Sequence, residues 1–95
     1  MDGFHNYPTE CLADAFDNCT ELSLALAEEA EHIIEDESMV DSDRVYALAD
    51  YLEVEAYDYY ISGLENPAGD SVIRDFLAKV SWYDLGLHYF SKYLP

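Results

Sequence analysis

The chain has 95 residues, and its 21 acidic against 4 basic residues give a formal net charge of −17. A hydrophobic content of 51% with 15% aromatic residues excludes an intrinsically disordered acidic tail, which would be poor in aromatic side chains. The charge also excludes direct binding to nucleic acid or anionic lipid, because both are repelled, and it favours basic protein partners. The length predicts a single domain, residues 1–95, too small for deep pockets.

The charge is concentrated in the first half of the chain. Residues 1–43 contain 13 acids and no Lys or Arg, whereas residues 44–95 contain 8 acids and all 4 basic residues. The aromatic residues are distributed in the opposite way, with three before Tyr46 and eleven from Tyr46 onward. This distribution predicts an acidic N-terminal arm and an aromatic body.

A helix is predicted to begin at Thr9, which suits an N-cap, and to carry an apolar seam as far as Ile33 and Ile34. Asn18, Cys19 and Thr20 interrupt it, since all three are poor helix formers. One continuous helix is the preferred interpretation, and two helices joined at these residues is the alternative. The seam contains Leu12, Phe16, Cys19, Ser23, Leu26, Ala30 and Ile33.

The opposite face of this helix would carry a row of carboxylates at helical spacing, interrupted only by Leu24. Like charges at i,i+4 cost a few tenths of a kcal/mol each, so such a row calls for an explanation. We refer to these residues as the acidic ladder: Glu10, Asp14, Asp17, Glu21, Glu28, Glu31 and Glu35.

Three further helices are predicted after an acidic loop at residues 35–43, and together they make a small all-α bundle of four to five helices. The first follows a cap at Asp41 or Ser42 and continues to Gly63, and residues 63–70 form a break. Ser71 would cap the next helix, with Val72 among its core-facing residues. Ser81 followed by Asp84 resembles a capping box that opens the last helix.

Catalysis and metal binding find little support in the sequence. None of the three histidines lies in a recognisable arrangement with a nucleophile, and Glu29-x-x-His32 lacks the second such pair that a di-iron bundle requires. The acidic loop lacks the spacing and the glycine of a calcium loop. We therefore predict a non-enzymatic protein without metal or cofactor.

Cys11 and Cys19 are too far apart along a helix for a disulfide, which predicts reduced and largely buried thiols. The sequence contains neither a secretory signal segment nor an apolar run long enough to span a membrane. The expected location is the cytoplasm, or the host cytoplasm for a phage protein.

The acidic ladder is the candidate functional site. Its acids recur about every 5 Å over about 40 Å of helix, which is comparable to the phosphates along one nucleic-acid strand. A protein that binds phosphates through Lys and Arg would accept such a ladder in its groove, so the ladder predicts a nucleic-acid mimic. Additional acids would widen the contact: Asp36, Glu37, Asp41, Asp43, Asp50 and Glu53.

Two other interpretations remain open. The acidity is also typical of a salt-adapted protein whose aromatic half makes the working contact, or of an antitoxin-like module that binds one basic partner. A core of this size cannot enclose all of the later aromatic residues, which predicts a self-association or partner surface. These residues are Tyr57, Tyr59, Tyr60, Trp82 and Tyr83.

The segments Ala47–Leu52 and Asp58–Leu64 resemble the helical middle of plasmid antirestriction proteins, over less than a third of the chain. The strand-rich N-terminal region of those proteins has no counterpart here. With its size and acidity, the chain resembles the small anti-defence proteins of phages and plasmids, of the antirestriction and anti-CRISPR type. The resemblance implies inhibition of a host restriction or CRISPR enzyme, and the anti-CRISPR class fits this length best.

Overall fold

A computed structural model of the protein describes residues 6–61 and 67–94, and these residues form five α-helices and no strand. The predicted all-α bundle of four to five helices is therefore confirmed. The helices are α1 (Tyr7–Asn18), α2 (Thr20–Glu35), α3 (Asp41–Ile61), α4 (Pro67–Ala78) and α5 (Trp82–Tyr93).

The first helix is capped by Asn6, so the prediction that Thr9 is the N-cap is wrong. The Asn6 side-chain oxygen accepts hydrogen bonds from the Thr9 backbone N–H at 2.9 Å and from the Thr9 hydroxyl at 2.6 Å. The Thr9 hydroxyl in turn accepts from the backbone N–H of Ser81 at 2.8 Å, and the Asn6 amide donates to the Lys79 carbonyl at 3.0 Å. Thr9 is thus a buried link between α1 and the α4–α5 turn.

The helix is interrupted at Cys19, so the preferred prediction of a single helix is wrong and the two-helix alternative is correct. Cys19 has extended backbone angles (φ −91°, ψ 112°) and is both the C-cap of α1 and the N-cap of α2. Phe16 and Leu22 are both buried, although six residues place them about 120° apart around a straight helix. The break lets both side chains reach the same core, with Leu22 in the place predicted for Ser23.

The third helix packs closely against α5 at Gly86. A Cβ atom at this position would lie only 2.6 Å from the Val45 carbonyl oxygen and 3.0 Å from the Ala49 Cβ, so glycine is required for this approach. Leu48 and Leu52 on α3 and Leu85 on α5 are fully buried beside this contact. The α3–α5 pair therefore forms the centre of the bundle.

The last two helices begin differently from the predictions. α4 begins at Pro67, so residues 67–70 are helical and Ser71 lies inside the helix rather than capping it. Residues 63–66, the first part of the predicted break, lie outside the described residues. Val72, predicted to face the core, is 67% exposed. Ser81 is the N-cap of α5 but makes no side-chain capping bond, so the predicted capping box is not formed.

Candidate functional site

The break at Cys19 divides the acidic ladder into an α1 part, Glu10, Asp14 and Asp17, and an α2 part, which we call the α2 row. The α2 row consists of Glu21, Glu28, Glu31 and Glu35. The predicted straight ladder of about 40 Å is therefore not formed. The α2 row alone spans about 21 Å, since 14 residues separate its ends.

The α1 part of the acidic ladder contacts the rest of the bundle through Asp17. One oxygen of its carboxylate accepts a hydrogen bond from the buried Tyr89 hydroxyl at 2.9 Å, and the Lys92 ammonium lies 3.4 Å from the same oxygen. The Ala13 carbonyl oxygen, 3.1 Å from the Tyr89 oxygen, shares the single hydroxyl proton with Asp17. Burial and the bond to Asp17 raise the pKa of Tyr89. Asp17 therefore links α1 to α5, Asp14 is exposed, and Glu10 is half-buried.

All four acids of the α2 row are exposed. Within the described parts of the chain, no Lys or Arg forms an ion pair with any of them. All four basic residues of the chain are engaged elsewhere, three of them with an acid three or four residues earlier in the chain. These pairs are Arg44–Asp41, Arg74–Asp70 and Lys79–Asp75, and the fourth is Lys92–Asp17. The negative charge of the α2 row is thus left uncompensated.

One flank of α3 packs beside the α2 row. The two helices run antiparallel, because a short connection joins Glu35 to Asp41 and, at the other end, the Cys19 thiol lies 3.6 Å from the Tyr59 hydroxyl. At the centre of this pair, burial raises the pKa of Tyr51 to about 12, with further contributions from Glu55, Glu29 and Glu28.

Glu29 follows Glu28 in α2, and Glu55 lies one turn after Tyr51 on the flank of α3 that faces α2, so both lie near the α2 row, although neither is among the predicted site residues. In the sequence, Glu29 stands out only as part of the Glu-x-x-His pair with His32. The signal that could have found them is the antiparallel pairing of two helices across a five-residue connection.

The acids of the α2–α3 connection have partly structural roles. Asp36 accepts hydrogen bonds from the Ser38 hydroxyl at 2.6 Å and from its backbone N–H at 2.9 Å, and these bonds lower the pKa of Asp36. Arg44 donates to the Asp36 carbonyl and pairs with Asp41, both at 2.8 Å. Glu37 and Asp43 are exposed. Only these last two therefore extend the uncompensated charge beyond the end of α2.

Asp50 and Glu53 lie on a different flank of α3. Tyr51 and Tyr59 face α2, whereas Asp50 and Glu53 share a stripe with Tyr46, whose ring packs on Tyr83 of α5. The structure therefore does not bring these two acids beside the α2 row.

The thiol of Cys19 occupies the position between the two parts of the ladder. The nearby backbone N–H of Leu22 and the Tyr59 hydroxyl, 3.6 Å from the sulfur, lower the pKa of the Cys19 thiol. Both cysteines are free thiols, in agreement with the prediction, but each is half-buried rather than enclosed.

Residues 6–61 and 67–94 contain no group of three or more His, Cys, Asp or Glu side chains arranged to hold a metal ion. None of the helices in these ranges combines the length and apolar composition that crossing a membrane requires. Comparison with protein-family models, with curated proteins and with solved structures found no match for this chain.

Proposed function

We propose that the protein is a non-catalytic inhibitor of a bacterial nucleic-acid-binding defence enzyme, of the anti-CRISPR or antirestriction type. It would act as a nucleic-acid mimic that occupies the basic groove of its target. The observation that carries this proposal is the α2 row, whose four exposed carboxylates have no Lys or Arg partner in residues 6–61 and 67–94, while all four basic residues are engaged elsewhere.

The α2 row has dimensions that suit such a groove. Glu28 and Glu31 are about 5 Å apart along the helix axis, and the row covers about 21 Å. Phosphates of one strand are about 3.4 Å apart along a duplex, so the row is as long as about six of them. Glu29 and Glu55 broaden it at the centre, and Glu37 and Asp43 extend it at one end.

A helix whose other face is fixed in a core holds these charges in place before binding. Leu22, Leu26 and Ala30 anchor α2 and are each at most 1% exposed. The row therefore loses little backbone freedom when a target binds, and its field accelerates association with a positive groove. Salt should weaken this binding, since it screens the charges that steer it.

The proposal is tested by capturing targets from bacterial lysate on the immobilised protein and eluting them with duplex DNA, single-stranded RNA or an uncharged polymer. A mimic predicts that a nucleic-acid-binding enzyme is retained and that one of the nucleic acids releases it, whereas the uncharged polymer does not. Retention of proteins without a positively charged groove, or retention unaffected by nucleic acid, would contradict mimicry.

One observation supports a second candidate, an acidic interaction module that binds a basic protein, such as a toxin, outside its nucleic-acid groove. Leu24 lies within the α2 row and is 66% exposed. A phosphate mimic gains nothing from an exposed leucine, whereas a protein interface typically buries one apolar residue inside a polar rim. A captured partner that nucleic acid does not release, and that Leu24→Ser fails to bind, would favour this candidate.

A further inference from the structure

The flank of α3 that faces away from α2 carries a stripe in which two acids lie between two tyrosines. Tyr46, Asp50, Glu53 and Tyr57 follow one another at spacings of four, three and four, so that they share one side of the helix. Asp50 is exposed and Glu53 half-buried. The core-facing residues of α3 lie beside this stripe, which leaves its polar groups at the protein surface.

Each tyrosine of the stripe is paired with an aromatic residue at the start of α5. The ring of Tyr46 lies 5.3 Å from the ring of Tyr83, and the ring of Tyr57 lies 6.4 Å from that of Trp82, as measured between centroids. The close approach of the helices at Gly86 brings these side chains together. We call this surface the aromatic groove, and it consists of Tyr46, Asp50, Glu53, Tyr57, Trp82 and Tyr83.

The aromatic groove is only partly used by the fold itself. Tyr57 and Trp82 pack against the core, but Tyr46 is 59% exposed and Tyr83 is 46% exposed. Leu87, one turn after Tyr83, is 43% exposed. These exposed tyrosine rings offer a partner an apolar face, and the carboxylates beside them offer a negative charge.

We propose that the aromatic groove binds an arginine side chain on a protein partner. A guanidinium stacks on aromatic rings and pairs with carboxylates through its planar fork, so it uses both components of the groove at once. Tyr46 and Tyr83 supply the rings, and Asp50, one turn along α3 from Tyr46, supplies the nearest carboxylate of the stripe. A lysine could pair with the acid but would gain less from the rings.

The charge of the chain identifies the partner as cationic and argues against a second copy of the chain. With a net charge of −17, two copies repel each other, and the acids of the stripe would be buried against further acids. Nucleic acid is excluded on the same ground, since it is itself an anion.

This inference does not rest on the function proposed for the α2 row, because the two surfaces lie on different flanks of α3. Either can fail while the other holds. If both hold, the protein contacts basic partners through two faces, one matched to phosphate-binding residues and one to a stacked arginine.

The chain contains a single tryptophan, Trp82, so tryptophan fluorescence reports on the aromatic groove directly. The probe is a short peptide of alternating Arg and Gly, with blocked ends, compared with the corresponding Lys–Gly and Gln–Gly peptides. The Arg peptide is expected to change the emission of Trp82 saturably and to bind about two- to fivefold more tightly than the Lys peptide, the contribution of an exposed cation–π contact. The Gln peptide should have no effect.

Three variants locate the binding site. Asp50→Asn/Glu53→Gln and Glu28→Gln/Glu31→Gln remove the same two charges from the groove and from the α2 row, respectively. The groove variant should weaken binding of the Arg peptide about tenfold, and the α2-row variant less than threefold. The difference is expected because the groove charges contact the peptide, whereas salt screens the more distant charges of the α2 row. Tyr46→Leu/Tyr83→Leu, which keeps an apolar surface but removes both rings, should abolish the preference for Arg over Lys.

The proposal is overturned if the Arg peptide gives no saturable change, if the Arg and Lys peptides bind equally, or if the two charge variants weaken binding equally. The last result would show a general attraction to the acidic surface. A dimer detected by sedimentation in the wild type and lost in Tyr46→Leu/Tyr83→Leu would assign the groove to a second copy, and would also overturn it. Circular dichroism confirms that each variant is folded.

Discussion

Helices α1 and α2 carry acids at the same helical spacing, but the two sets of acids have different contacts in the fold. On α1, Asp17 accepts a hydrogen bond from the buried Tyr89 and an ion pair from Lys92. On α2, the four acids are exposed and, in the described residues, without a cationic partner. The difference arises because Asp17 lies beside Tyr89 and Lys92 of α5, whereas no Lys or Arg of the described residues lies beside the four acids of α2.

A charged stripe in a sequence can therefore contain both acids that are bonded within the fold and acids that are available to a partner. The break at Cys19 separates them. An acid that is bonded within the bundle can bind a partner only by losing those bonds, which would lower the stability of the fold. In the α2 row, by contrast, a positively charged partner would relieve the repulsion between neighbouring acids. Neutralising acids on the two helices should therefore have opposite consequences.

The largest expected difference concerns the two apolar residues that accompany the acids. Phe16 on α1 is fully buried, and Phe16→Ala should lower the free energy of unfolding by about 3–5 kcal/mol through lost burial and the cavity it leaves. Leu24 on α2 is 66% exposed, so Leu24→Ala should change stability by less than about 0.5 kcal/mol. Urea denaturation followed by circular dichroism measures both, and a costly Leu24→Ala would show that α2 is covered.

The hydroxyl of Tyr89 gives the next largest effect. Tyr89→Phe leaves the Ala13 carbonyl and the Asp17 carboxylate without this donor and should cost about 1–2 kcal/mol. Tyr83→Phe is the matched control, since the Tyr83 side chain is 46% exposed and its loss of a hydroxyl should be nearly neutral. Equal stabilities for the two variants in thermal unfolding would refute the link between α1 and α5.

Single neutralisations should differ in sign between the helices. Asp17→Asn weakens the bonds to Tyr89 and Lys92 and should destabilise by about 0.5–1.5 kcal/mol. Glu31→Gln relieves repulsion by Glu28 and Glu35 and should stabilise by a few tenths of a kcal/mol at low salt. Added NaCl should reduce the second effect more than the first, and stabilisation by both variants would show that Asp17 contributes no structural bond.

The decrease in stability at alkaline pH should report on the environment of Tyr51 between α2 and α3. Burial, with Glu55, Glu29 and Glu28, raises the folded-state pKa of Tyr51 to about 12, above its ordinary value of 10.0. Between these pH values the unfolded chain has lost the phenol proton and the folded chain keeps it, so this contribution is present below pH 10 and is lost as the pH approaches 12.

Tyr51→Phe should make that alkaline fall in stability shallower, and Glu28→Gln/Glu29→Gln should move the Tyr51 transition to lower pH. Titration of tyrosinate absorbance, together with denaturation at each pH, checks both. An unchanged transition in the glutamine variant would mean that these acids point away from Tyr51.

Much of the fold could be predicted from local signals. Apolar periodicity located the helical regions, because each helix buries a single face, but it did not separate α1 from α2 and it placed the start of α4 at Ser71 instead of Pro67. The caps were less predictable, since Asn6 and Thr9 act together with the distant Ser81 and Lys79, contacts that no local pattern specifies.

The candidate site was predictable in composition but not in shape. Poor helix formers at 18–20 allowed a break, but the choice between a bent and a straight helix depended on Leu22 reaching the core with Phe16. The separation of Asp50 and Glu53 from the α2 row depended on which flank of α3 packs against α2. Both outcomes are set by tertiary packing, and the sequence periodicity is compatible with either.

The most direct test of the account compares two equal charge changes in inhibition of the enzyme captured from lysate. Glu28→Gln/Glu31→Gln removes two charges from the α2 row, and Glu10→Gln/Asp14→Asn removes two from α1. The α2 variant is expected to raise the concentration needed for half-inhibition by about tenfold or more, equivalent to about 1.4 kcal/mol. The α1 variant is expected to raise it by less than about threefold. Equal losses, or a larger loss from the α1 variant, would contradict the assignment of the α2 row as the surface that binds the target.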